Sequence, residues 1–156
     1  MLPRKFIASL ILLVPLLALG QTAATVTTPQ ELQSQIQELR LRANSAGGAA
    51  SIQLATYANH ITMLAFRTRT GAAEVHVRFA DVFVVLEGHA KLISGGMLAD
   101  PVHEESDEPR GSSVKNGLER SVGPGDILHI PAGVPHQLLI AKGDELAYYV
   151  IKVREK

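Results

Sequence analysis

The sequence predicts an all-β domain, a sandwich or barrel of short antiparallel strands, preceded by one amphipathic helix. Three observations carry this. From Ser51 onward the chain is a series of short runs rich in Val, Ile, Leu and Phe, separated by Gly, Pro, Asn or Asp. No helical period of any length interrupts those runs. Ahead of them, "TPQELQSQIQELRLRANSAGG" repeats its apolar residues Leu32, Ile36, Leu39 and Ala43 at helical intervals.

With 156 residues, 46% hydrophobic and 19% charged, the chain has the balance of one globular domain with one core. Residues 1–20, "MLPRKFIASLILLVPLLALG", read as a signal peptide. Arg4 and Lys5 give a basic start, and Ala18 and Gly20 suit a signal peptidase. The apolar run between them, Phe6 to Leu19, is 14 residues long and broken by Pro15, whereas a spanning helix needs roughly 20. An uncleaved amphipathic anchor is the competing reading. The expectation is an exported chain, periplasmic or secreted, whose mature form starts near Gln21 and has no membrane attachment. The absence of cysteine excludes a lipoprotein anchor and a disulfide framework. Losing residues 1–20 removes two basic and no acidic residues, leaving 13 basic against 15 acidic. With no basic run and only 4% aromatic residues, nucleic acid is not expected as a partner.

Residues 21–50 are a linker and the helix. Thr28 can cap it, Pro29 fits its first turn, and Glu31 stands at the capping-box spacing. Gly47 and Gly48 end the pattern. The apolar stripe must pack either on the same domain or on a second copy. Residues 51–156 form the β domain. Within it, residues 97–120, "MLADPVHEESDEPRGSSVKNGLER", show no periodicity and are expected to be a long surface loop whose acidic run 103–108 is solvated.

Two stretches carry chemistry. "GAAEVHVRFADVFVVLEG", Gly71 to Gly88, sets Glu74, His76 and Arg78 two apart, so on a strand they share a face, with Asp81 opening the next strand. A buried carboxylate has to be paired or metal-bound. "GDILHIPAGVPHQLLI", Gly125 to Ile140, predicts a turn at Gly125-Asp126, a strand from Ile127 to Ile130, a turn at Pro131-Ala132-Gly133, and His136 opening another strand. Imidazole and carboxylate together are the donor mix of borderline divalent metals. A metal-free ion network of Glu74 and Asp81 with Arg78, and a hydrogen-bonded core role for His136, are the bland alternatives.

These stretches resemble the two motifs of the cupin family. Glu74-Val75-His76, four residues, Asp81, six residues, Gly88 has the spacing of the first, with Glu74 in place of a histidine and Asp81 in place of a glutamate. Gly125, Pro131, Gly133 and His136 fall on the second, with Ile140 replacing its asparagine. Thr68 stands where the first motif has its leading glycine, and 36 residues separate Gly88 from Gly125. The resemblance covers roughly residues 50–154. It implies a jelly-roll barrel, the double-stranded β-helix, holding a divalent ion (iron, manganese or zinc) on Glu74, His76, Asp81 and His136. Two carboxylates with two histidines leave fewer open positions than the two-histidine, one-carboxylate set of iron oxygenases. Arg78, if it faces the cavity, would bind a carboxylate or enolate oxygen of a small ligand; alternatively it orients a donor carboxylate. The expected functions are a metal-dependent dioxygenase, isomerase or lyase, or a non-catalytic small-molecule-binding module, with an inert dimer through the helix as a third. Candidate acid–base groups are Glu87, Tyr57 and His129. Relatives commonly pair through sheet faces, so a homodimer is expected.

Overall fold

The computed structural model describes residues 24–103 and 106–155; the expected signal peptide lies outside them. Helix α1 spans Pro29–Ser45. Twelve strands follow: β1 Ala49–Thr56, β2 His60–Arg67, β3 Ala73–Glu74, β4 Phe79–Gly88, β5 Ala90–Ser94, β6 Met97–Ala99, β7 Arg110–Gly111, β8 Ser113–Lys115, β9 Leu118–Val122, β10 Ile127–Ile130, β11 His136–Leu139 and β12 Leu146–Arg154. They build one five-stranded sheet in the order β1-β2-β12-β4-β10, a second in the order β7-β3-β11-β5-β9, and a small β6-β8 pair. All named strand pairs are antiparallel.

The period of two along each strand sorts side chains between two cores. On β2, Ala65 faces the space between the sheets while Leu64 and Phe66 face outward under α1. On β12, Tyr148 and Val150 face inward and Ala147 outward. Phe83, Val85, Leu128, Ile130 and Leu138 complete the inner core. A sheet with apolar residues on both faces needs two covers: the second sheet supplies one and α1 the other.

Helix α1 forms because its ends and its stripe agree. The Thr28 side chain accepts from the Glu31 N–H, and Glu31 reaches back to the Thr28 N–H at 2.7 Å, a complete capping box. Ile36, Leu39 and Ala43 are buried against the outward faces of β1 and β2. The stripe thus packs on its own domain. Arg40 ties the helix down at its flank, with Nη2 at 2.9 Å from Glu87 and 2.5 Å from Glu145, and its guanidinium 4.9 Å above the Phe66 ring. Gly88, at φ 75°, ends β4 so close to the Glu145 carbonyl that a side chain there would collide with it.

Two expectations are corrected. Residues 97–120 are not one loop. They contain β6, β7, β8 and the start of β9, and β7 adds to the edge of the second sheet beside β3. Strands β6, β7 and β8 are two or three residues long, below the length at which a period can be read. The run from Ala73 to Ala80 is not one strand either: β3 stops at Glu74, and β4 starts at Phe79, ahead of Asp81. Between them the backbone is held by Val75 N–H to Pro109 O, Val77 N–H to Asp107 O, and Gly133 N–H to His76 O.

Leu39→Ala should therefore cost about 3 kcal/mol of unfolding free energy, since the side chain is fully buried. Leu41→Ala, on the exposed face of the same helix, should change it by less than about 0.5 kcal/mol. Urea midpoints of the two variants test whether α1 is integral to the domain.

Candidate metal centre

The break after β3 creates the site. Glu74, on the last residue of β3, is paired in register with His136, the first residue of β11. The bend at residues 75–78 then turns His76 inward, where it is 5% exposed. Asp81 enters from β4, almost fully buried. His136 is seated by the turn before it, where Gly133 adopts φ 76° and the His136 Nδ1 stands 3.1 Å from the Val134 carbonyl.

That last contact fixes the chemistry. Nδ1 must donate to the carbonyl, so Nε2 is the ring atom left to face the cluster, and in the neutral imidazole it is the atom that can bind a metal. It faces Glu74 Oε1 at 3.5 Å and Asp81 Oδ2 at 3.7 Å, two further acceptors. His76 Nε2 stands 3.3 Å from Asp81 Oδ2 and 3.9 Å from Glu74 Oε1, while its Nδ1 lies 3.1 Å from the Glu108 carboxylate, without hydrogen-bond alignment. His136 Nε2, Asp81 Oδ1 and His76 Nδ1 are buried without a hydrogen-bond partner. Acceptors facing one another without a proton between them repel unless a cation sits among them. One donor atom each from Glu74, His76 and His136 lies within 4.8 Å of the others, a spacing that can hold a metal ion.

Burial works to raise the Glu74 carboxyl, but a hydrogen bond from the His136 ring, which a metal ion would replace, and the Arg110 guanidinium outweigh it and hold it at about 2, so Glu74 is a carboxylate. Burial pushes the His76 imidazole down, reinforced by Lys152 and opposed by Asp81, Glu74 and Glu108, so the ring stays neutral with its lone pair available. The Lys152 ammonium already supplies positive charge here, with Nζ at 2.8 Å from His76 Nε2 and 3.4 Å from Asp81 Oδ1. It marks where a cation is demanded.

Glu74, His76 and Asp81 open onto a cavity of about 380 Å³ between the sheets, lined also by Met63, Arg67, Phe83, Tyr148 and Val150, with His136 behind them in a crevice shared with Glu74 and Arg67. Solved structures share this architecture. A conserved protein of uncharacterised function with a double-stranded β-helix domain, from Klebsiella pneumoniae, is 14% identical over 70% of this chain and 79% of that one, with a TM-score of 0.52. This is the cupin fold. The polyketide cyclase RemF from Streptomyces resistomycificus is 19% identical over 69% of this chain and 66% of its own, with a TM-score of 0.51. The DMSP lyase DddQ from Ruegeria pomeroyi is 16% identical over 77% of this chain and 54% of its own, with a TM-score of 0.52. At these identities the likeness is one of fold. No protein-family model matches the chain, and no curated protein matches it.

Within this cupin fold, Glu74, His76, Asp81 and His136 converge. Arg78 does not join them. It lies beyond the bend, its side chain 61% exposed and 3.0 Å from Asp107, so it faces solvent rather than the cavity. The ion network of Glu74 and Asp81 with Arg78 is likewise absent: Glu74 pairs with Arg110, and Asp81 contacts Lys152. The acid–base candidates also lie elsewhere. Glu87 binds Arg40 and Gln33, Tyr57 stacks on His60 at the surface, and His129 is exposed on β10.

The groups that do line the site were passed over in the sequence. Lys152, Tyr148 and Arg67 had a usable signal, since each occupies an inward position of an alternating strand where a polar residue is unusual. Glu108 and Arg110 had none, because only the fold brings residues 107–110 against the bend. Arg110 is 39% exposed, so its ion pair with Glu74 is partly screened. Urea unfolding with chelator present, in a cycle of Arg110→Met and Glu74→Gln, should give a coupling of about 1 kcal/mol.

Proposed function

We propose that the chain is an exported cupin that binds one divalent ion on Glu74, His76, Asp81 and His136, and acts there on a small carboxylated or oxygenated molecule as a metal-dependent isomerase or lyase. The observation that carries this is the approach of donor atoms from Glu74, His76 and His136 to within 4.8 Å of one another, with Asp81 beside both rings, at the wall of a cavity that also holds Lys152.

Charge supports the ligand class. Around the cavity, Arg67, Arg110 and Lys152 balance Glu74, Asp81 and Glu108. A divalent ion would leave two positive charges in excess, which an anionic ligand offsets. The ion, iron, manganese or zinc, would polarise a ligand oxygen and stabilise negative charge developing on it. The protein's own groups do the rest. The Val134 carbonyl orients the His136 imidazole through its Nδ1 atom. Met63, Phe83 and Val150 keep the middle of the cavity apolar. Lys152 Nζ, once His76 Nε2 is engaged elsewhere and the ammonium's extra proton has passed to solvent, is placed as the neutral amine to take a proton from a carbon next to the polarised oxygen and to return it. That placement favours isomerase or lyase chemistry over oxygenation, and it replaces the acid–base groups expected from the sequence.

Export follows from the basic and apolar character of residues 1–20, and a homodimer through a sheet face is part of the same proposal. Metal analysis of protein purified without chelators should find about one ion per chain, and His136→Ala should lose most of it; unchanged stoichiometry in that variant would remove the site. Lys152→Met should keep the ion but abolish solvent-deuterium incorporation into pyruvate, an enolisable carboxylate, followed by proton NMR. Absence of exchange in the wild type with iron, manganese and zinc alike would make the chain a non-catalytic holder of such ligands.

A further inference from the structure

The cavity has two polar ends. One is the donor cluster with Lys152. The other is formed by Tyr148 on β12 with Arg67 at the end of β2, which also flanks the cluster, lining a crevice with Glu74 and His136 and feeling the Glu74 charge. Tyr148, Val150 and Lys152 alternate onto the cavity face of β12, so Tyr148 stands four residues from Lys152, a rise of roughly 13 Å. Between the ends lies an apolar belt of Met63, Phe83 and Val150. The Phe83 ring bridges it, 5.1 Å from the Tyr148 ring and 6.3 Å from that of His136.

Arg67 differs from the other cations here. Arg110 is paired with Glu74 and Glu108, and Lys152 with Asp81. Among the described residues Arg67 has no carboxylate within ion-pair distance; its Nε donates to the neutral Tyr148 Oη at 3.0 Å. Burial pushes the Tyr148 phenol up, so Oη keeps its proton and, having accepted from Arg67, can donate it into the cavity. A half-buried guanidinium beside a phenolic donor, both facing a cavity and short of one anion, is a carboxylate receptor in its chemistry.

We propose that Arg67 and Tyr148 form a carboxylate-binding subsite, and that the cavity selects ligands with an oxygen chelating group at one end, a flat or short apolar body, and a carboxylate at the other. The first element of that description rests on the divalent-ion reading of the donor cluster; the carboxylate subsite does not.

The test compares two probes on zinc-loaded protein by calorimetry: 4-carboxybenzohydroxamate, which carries both end groups, and benzohydroxamate, which lacks the carboxylate. Wild type should bind the first at least ~10-fold more tightly. Arg67→Met should bind both equally. Tyr148→Phe keeps the ring on Phe83 and should lose ~3-fold of the preference. Circular dichroism and melting check both variants, and if Arg67→Met does not fold, Tyr148→Phe decides. No preference in wild type, or an undiminished preference in the variants, overturns the subsite. If neither hydroxamate binds, the donor-cluster reading has failed, and benzoate titrated into metal-free protein and followed by NMR decides the subsite alone. Benzoate binding lost in Arg67→Met supports it; binding that persists there, or is missing in wild type, overturns it.

Discussion

Four hydrogen-bond acceptors aimed at one another inside the protein are the constraint around which the rest is arranged. Glu74 Oε1, His76 Nε2, Asp81 Oδ2 and His136 Nε2 lie 3.3 to 3.9 Å apart in the contacts that link them. Such a group needs positive charge nearby, because its carboxylates are largely cut off from water and the His76 Nε2 lone pair meets its donor in the Lys152 amine. Arg110 supplies that charge on the open side and Lys152 on the inner side. The Val134 carbonyl fixes the His136 ring from behind, while the Glu108 carboxylate lies 3.1 Å from the His76 Nδ1 without hydrogen-bond alignment. The same arrangement makes the centre suited to a divalent cation.

The scaffold explains how the cluster is tolerated. Its members come from the end of β3, the bend after it, the start of β4 and the start of β11, and none from a strand middle. Strand ends leave backbone groups free for irregular bonds, and here residues 107–110 and the turn at Gly133 take them up. The strain of gathering like charges is thus placed where the sheets are least regular, while the interior of the barrel stays apolar. Helix α1 contributes from outside: by covering Leu64, Phe66 and Ala147 it lets β2 and β12 be apolar on both faces, which frees their inward positions for Arg67, Tyr148 and Lys152.

Those inward polar residues turn a closed barrel into a cavity with chemical direction. A packed interior would fill the space between the sheets with branched aliphatic side chains. Here a guanidinium, a phenol and an ammonium share it with an apolar belt. The cupin fold hosts proteins as different as a polyketide cyclase and a DMSP lyase, so function has to be argued from this lining rather than from the architecture.

From the sequence alone came the helix with both of its caps, most of the long strands, the turns at Gly125 and Gly133, and the expectation that Glu74, His76, Asp81 and His136 lie together. These are written in local patterns: periods of 3.6 and 2, capping residues, glycines where φ is positive, and spacings between donor types. Tertiary structure alone decided that Arg78 turns outward and that Glu108 and Arg110 reach the site from what reads as a solvated loop; Lys152, Tyr148 and Arg67 carried a signal in strand alternation, but the closing sheet made their face a cavity lining. The physical reason is range. A two-residue strand such as β3 or β7 has no period to read, and it exists only because a distant neighbour pairs with it. The face on which a charged side chain ends is likewise set by which sheet closes over it.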